Sequence, residues 1–126
     1  PIHLSEITIT SPGGDRRGEI VQAGIARNLY RLWFSLAPMM GITWWNVVDG
    51  CGAPGEPAVS GLFTRDMEPK LSYFALNDLI HHEWHTSMSC RADREGRAVF
   101  RGFRGRYRLS WTSAEGKAES MECHLK

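Results

Sequence analysis

The order in which hydrophobic periodicities follow one another limits what this chain can fold into more than any single residue does. Residues 2–10, Ile-His-Leu-Ser-Glu-Ile-Thr-Ile-Thr, are apolar and β-branched enough for a strand. Ser-Pro-Gly-Gly-Asp turns the chain, and Val21, Ile25, Leu29, Leu32, Trp33 and Leu36 then recur at helical spacing from about Arg17 to Ala37. Asp15 or the glycines beside it can cap this helix, Glu19 suits its positive end, and Pro38 stops it. Met40-Gly-Ile-Thr-Trp-Trp-Asn-Val-Val predicts a second strand, continuous enough in apolar character for burial on both faces of a parallel sheet. A loop rich in Gly, Ala and Pro runs to about Ser60, and Pro69 opens a second helical stretch, with Leu71, Phe74, Ala75 and Leu79, that ends near Trp84. Strand, helix, strand, loop, helix reads as two consecutive βα units, and parallel strands joined this way need a larger sheet or barrel to cover them.

From Thr86 the period changes to two. In Gly105-Arg-Tyr-Arg-Leu-Ser-Trp, the residues Tyr107, Leu109 and Trp111 alternate with Arg106, Arg108 and Ser110, the pattern of a half-buried strand. Turn-like Asp93-Arg-Glu-Gly and Ala114-Glu-Gly-Lys divide the tail into four expected antiparallel strands at 87–92, 97–103, 105–112 and 118–125. Charge changes as well: residues 1–90 carry six basic and nine acidic side chains, whereas 91–126 carry nine and five. Two structural units are therefore expected, residues 1–85 and residues 86–126.

Composition removes several function classes. The formal charge of +1 provides no global field for nucleic acid or membrane surface. No run approaches the roughly eighteen apolar residues of a membrane span. Cys51, Cys90 and Cys123 lack any CxxC pairing, which argues against a zinc ribbon or a disulfide scaffold, although a Cys90–Cys123 bridge remains open. The compartment is left open too. Pro1 in place of Met, with strand-like residues directly behind it, leads to the expectation of a piece of a longer protein.

Among individual residues, Glu6 stands out as a carboxylate inside an apolar strand, where desolvation is costly unless it lies at a strand end facing a polar cleft. Trp44, Trp45, Asn46 and Asp49 gather at the end of the second strand, the end on which βα architectures build sites. Adjacent strand residues face opposite ways, so one tryptophan is expected in the core and the other is a candidate platform. An indole face stacks on the apolar C–H face of a sugar ring, while amides and carboxylates bind its hydroxyls. His81, His82 and His85 beside Glu83 suggest a metal site, but the spacing breaks the HExxH pattern, and a solvated helix end explains them. The arginines from Arg97 to Arg108 interleave with aromatics as in nucleic-acid binders, yet strand alternation accounts for them and nucleic acid is not an expected partner.

Three stretches resemble the C-terminal part of family 10 glycoside hydrolases, the endo-1,4-β-xylanases. His3-Leu-Ser-Glu-Ile looks like that family's seventh barrel strand, Gly41-Ile-Thr-Trp-Trp-Asn-Val-Val-Asp like the eighth, and Gly61-Leu-Phe-Thr-Arg through Pro69-Lys-Leu-Ser-Tyr like the lead into the last helix. The resemblance covers about residues 1–84. It implies an α/β fold class, the last two βα units of a (β/α)8 TIM barrel followed by a small antiparallel all-β appendage. It further implies a retaining hydrolase of xylan or a related β-1,4-linked polysaccharide, with Glu6 as nucleophile and substrate contacts at His3 and Trp45. The family's acid/base glutamate comes from an earlier strand, so the isolated chain is expected to be inactive and to need the rest of a parent barrel. No metal or organic cofactor is implied, and a secreted or periplasmic location is. Two departures stand out: Thr8 replaces the family's acidic residue two positions after the nucleophile, and Gly50-Cys-Gly-Ala-Pro-Gly replaces a second tryptophan. The alternative expectation is a carbohydrate-binding or structural module without catalysis, suggested by the tail with Tyr107 and Trp111.

Overall fold

A computed structural model describes all residues from Pro1 to Lys126. The chain divides into two compact units, Pro1–Glu83 and Trp84–Lys126. In the first unit, β1 (Ile2–Ile7) leads through a 3-10 turn at Pro12–Gly14 into α1 (Arg16–Phe34), followed by β2 (Met39–Trp44), α2 (Leu71–Asp78) and a π-helical turn at Leu79–Glu83. The second unit contains β3 (Gly105–Thr112) and β4 (Ala118–Leu125).

Strand β1 pairs in parallel with β2, placing His3 opposite Gly41, Leu4 opposite Ile42 and Ile7 opposite Trp44. Asp15 caps α1 by accepting from the Gly18 N–H at 2.8 Å, which satisfies one of the donors a helix start leaves unpaired. The helix lies on α2, and its buried residues recur four apart, Gly18 against the turn at Pro12, then Gln22, Ala26 and Tyr30, whose ring meets Trp44 of β2. Gly18 faces the turn before the helix, where a Cβ would lie 2.0 Å from the Pro12 carbonyl oxygen, and Ala26 is fully buried. Gln22 fills the gap between the layers and leaves no buried polar atom of its own unpaired. Its amide nitrogen donates to the Ile9 carbonyl at 2.7 Å and the Gly61 carbonyl at 3.2 Å, and its oxygen accepts from the Ser72 hydroxyl at 3.2 Å. Buried apolar side chains are few: Ile9, Ala26, Tyr30, Leu76 and Leu79.

This topology corrects the expected fold class. The regular structure amounts to two helices and four strands in two separate two-stranded sheets, so the chain does not form the last two βα units of a (β/α)8 TIM barrel with an all-β appendage. Local periodicity reports where a helix or strand forms, but not how many strands share a sheet, and here no further strand extends the β1–β2 pair. Because that sheet is so narrow, the apolar stripe that predicts α1 is not covered by it: Val21, Ile25 and Leu32 stay exposed while the neighbouring stripe is the buried one.

The second unit departs similarly. Strands β3 and β4 pair antiparallel in continuous register from Gly105 opposite Leu125 to Thr112 opposite Ala118. The strands expected at 87–92 and 97–103 do not form. Asp93 instead closes a local turn, its carboxylate accepting from the N–H groups of Glu95 at 3.0 Å and Arg97 at 2.7 Å. Met88 and Val99 stay largely exposed, so the apolar side chains of those stretches find no surface that would reward a ladder. The three cysteines are free thiols, which rules out the Cys90–Cys123 bridge.

Candidate functional site

Parallel pairing brings the carboxyl ends of β1 and β2 to one edge. The Trp45 N–H donates to the Ile7 carbonyl at 2.9 Å, so Glu6, the residue before Ile7, and Trp45 emerge from adjoining backbone. Glu6 is exposed at its strand end, as a carboxylate in an apolar strand must be to keep its hydration. Alternation separates the two tryptophans as expected. Trp44 turns inward, its ring 6.4 Å from that of Tyr30 and its indole N–H donating to the Ser60 carbonyl at 3.1 Å. Trp45 turns outward and is 42% exposed.

His3 lies farther down β1, across from Gly41. A Cβ at position 41 would sit 2.7 Å from the His3 ring, so glycine is what lets the imidazole lie across β2. Its Nε2 is 3.0 Å from the Thr43 hydroxyl. His3 and Glu6 are three positions apart on one strand, and the imidazole is engaged by Thr43.

Glu56 is the residue at this edge that sequence reasoning missed. Its Oε1 accepts from the Trp45 indole at 3.1 Å, and its Oε2 accepts from the Asn46 side-chain amide at 2.5 Å and the Ala53 N–H at 3.0 Å. Those donors, Asn46 foremost, then Ala53 and Trp45, hold its carboxyl below the ordinary carboxylate range. Asn46 reaches Glu56 because its backbone steps into the left-handed region directly after Trp45, with φ at 61°. Asparagine tolerates that conformation better than most non-glycine residues. The only sequence cue is an acidic residue in a Pro-Gly-Glu-Pro loop, and nothing local ties it to Trp45 across the intervening glycines.

A second link anchors the same loop from below. The Lys70 ammonium donates to both Asp49 carboxylate oxygens, at 3.1 and 3.0 Å, and Asp49 Oδ1 also accepts from the Gly61 N–H at 2.7 Å. A Cβ at position 61 would lie 2.5 Å from the Asp49 nitrogen, so the close approach requires glycine there. The loop is thereby tied to both β2 and the start of α2.

Elsewhere, His82 is 3.5 Å from Asp78 at the exposed helix end, and no group of three or more His, Cys, Asp or Glu side chains is arranged to hold a metal ion. The second unit contains a cleft of about 430 Å³, lined among others by Trp84, Phe100, Phe103 and Tyr107. Tyr107 braces it, its hydroxyl donating to the Phe103 carbonyl at 2.5 Å.

No family model matches this chain, and no curated protein does. The xylanase family suggested by the three sequence stretches is therefore not borne out. Among solved structures, a chain of Faecalibacterium prausnitzii Beta-glucuronidase is similar at 25% identity and a TM-score of 0.48, over 65% of this chain and 16% of that one.

Proposed function

We propose that the Pro1–Glu83 unit contributes to a retaining glycosidase acting on a β-linked polysaccharide, with xylan or a related β-1,4-glycan as substrate. The observation that carries this reading is the emergence of Glu6 and Trp45 from adjoining backbone at the carboxyl edge of two hydrogen-bonded parallel strands. Trp45 serves as the sugar platform and His3 as a further substrate contact. Glu6 attacks the anomeric carbon as the glycosidic C–O bond breaks, and a second carboxyl group about 5 Å away protonates the departing oxygen. That group, now a carboxylate, takes a proton from water, and the resulting hydroxyl displaces Glu6 with net retention. Glu56 does not suit the second role. An acid must hold its proton near neutral pH, whereas three donors keep Glu56 ionised. The acid/base carboxyl is supplied from elsewhere.

Hydrolysis of xylan, β-glucan and cellulose by the native protein containing this chain, with anomeric analysis of the products, tests the proposal. Glu6→Gln removes the nucleophile without changing side-chain size and is expected to lower kcat by at least about 10³-fold. Full activity in that variant would end the assignment of Glu6.

The aromatic cleft of the second unit favours a second reading, a glycan-binding module. Retention in xylan-containing gels that survives Trp45→Ala but is lost on Trp84→Ala is the outcome that reading requires.

A further inference from the structure

We infer that Glu56 is a positioning residue that clamps the edge of Trp45, and that its carboxylate makes this platform select a neutral sugar over one bearing a uronic acid. The inference deepens the proposal above and rests on its reading of Trp45 as a sugar platform. An indole has a single polar hydrogen, on Nε1, and here Glu56 Oε1 takes it at 3.1 Å. With that donor spent inside the protein, no sugar hydroxyl can accept from it, and the platform offers only its apolar face. Ring stacking against pyranose C–H groups is then the recognition that remains.

The charge follows from the kind of partners Glu56 has. Asn46, Ala53 and Trp45 are all neutral donors, so the carboxylate is stabilised without being neutralised. Lys70 is paired with Asp49, and Arg65 forms no ion pair with Glu56: it donates to the neutral Gly50 carbonyl at 3.2 Å and keeps its own charge on that side of the loop. Glu6 adds a second carboxylate at the same edge of the strands. A uronate stacked on Trp45 would lie near this negative charge. At a separation of about 6 Å and a dielectric between those of protein and water, the repulsion corresponds to about tenfold in affinity.

Gly52 allows position and charge to be separated. A Cβ there would lie 2.6 Å from Glu56 Oε2 and 2.8 Å from the Asn46 amide, so Gly52→Ala disturbs the clamp while leaving its charge. Glu56→Gln removes the charge and also the clamp, because its one oxygen is best satisfied where Asn46 and Ala53 both donate, which turns its NH2 toward the Trp45 indole.

The experiment is 15N NMR of the indole N–H groups in the 126-residue chain, with the Trp45 signal assigned through Trp45→Phe and the other indole signals reporting the fold. In the unmodified chain, the Trp45 indole proton is expected to exchange with water at least about tenfold more slowly than in Gly52→Ala or Glu56→Gln. Titration with xylotetraose should shift the Trp45 signal, and the same oligosaccharide carrying a glucuronic acid should bind about tenfold more weakly. Glu56→Gln should abolish that difference, and Gly52→Ala should retain it. Equal exchange in all variants, or an unchanged ratio in Glu56→Gln, overturns the inference and leaves the platform standing. If the proton is protected but neither sugar moves the Trp45 signal, the glycan reading itself fails, and the selectivity falls with it.

Discussion

Lys70 places an ammonium group where its side chain is 2% exposed, against an Asp49 carboxylate that is 16% exposed. A buried pair of this kind adds modest net stability while intact, because desolvation offsets much of its attraction, but removing one partner strands the other charge. Asp49→Ala is expected to cost about 3–5 kcal/mol, since it leaves the ammonium buried with nothing to accept from it. Lys70→Met should cost clearly less, because Asp49 is partly solvated and keeps the Gly61 N–H. Urea denaturation of both variants measures the difference, and equal losses would contradict the geometry. The same residues show how a site can escape notice in a sequence. Glu6 and Trp45 are legible in the sequence because a carboxylate in an apolar strand and a tryptophan at a strand end are locally anomalous. Glu56, Asp49 and Lys70 are ordinary polar residues of a loop and its margins, and their roles arise from contacts that span up to 21 positions.

The two helices are joined at one end by charge. Arg27 reaches Asp78 at 2.9 Å and Glu83 at 2.7 Å, and Arg31 approaches both Glu83 oxygens, at 2.7 and 2.6 Å. Hydrogen bonding from Arg31 holds the Glu83 carboxyl below its ordinary value. A lowered carboxylate value means that the unfolded chain binds the proton more readily. The stabilisation is therefore complete above the unfolded-state value and is lost as pH falls through the folded-state value. Denaturation midpoints measured from pH 7 down to pH 3 should fall on acidification, and Glu83→Gln should flatten that dependence while lowering stability at pH 7. Solvent exposure of these groups keeps the effect modest and sensitive to salt. As for legibility, the start of α1 was written in Asp15 and the turn before it, but its packing face was not. Helical spacing marked Val21, Ile25 and Leu32, whereas the helix packs through Gly18, Gln22, Ala26 and Tyr30. That stripe meets the turn at Pro12 through Gly18, the Ile9 and Gly61 carbonyls through the Gln22 amide and Trp44 through Tyr30, contacts that hydrophobic periodicity does not register.

At the scale of the molecule, the two units differ in what holds them. Every buried residue belongs to Pro1–Glu83, and the Trp84–Lys126 unit contains none. A two-stranded hairpin whose inner face, with Tyr107 and Leu109, is only half-buried is marginal in water, and its amides open through local fluctuations rather than global unfolding. Hydrogen exchange is accordingly expected to be slowest in the middle of α1 and fastest in residues 84–104, with β3 and β4 between. Protection of the hairpin equal to that of α1 would show that the second unit has a source of stability outside its own contacts.

By itself, the sequence determined the short-range features: the strand beginning at Ile2, the capped helix after Asp15, the inward and outward division of Trp44 and Trp45, and the alternating strand around Tyr107. These depend on residues within a few positions of one another, where backbone sterics, capping and period act directly. Only the tertiary structure decided the sheet size, the buried face of α1, the absence of strands at 87–103, and the clamp of Glu56 on Trp45. Each of these is a competition among distant partners for the same surface or the same hydrogen. Its outcome depends on geometry that no local window of sequence contains.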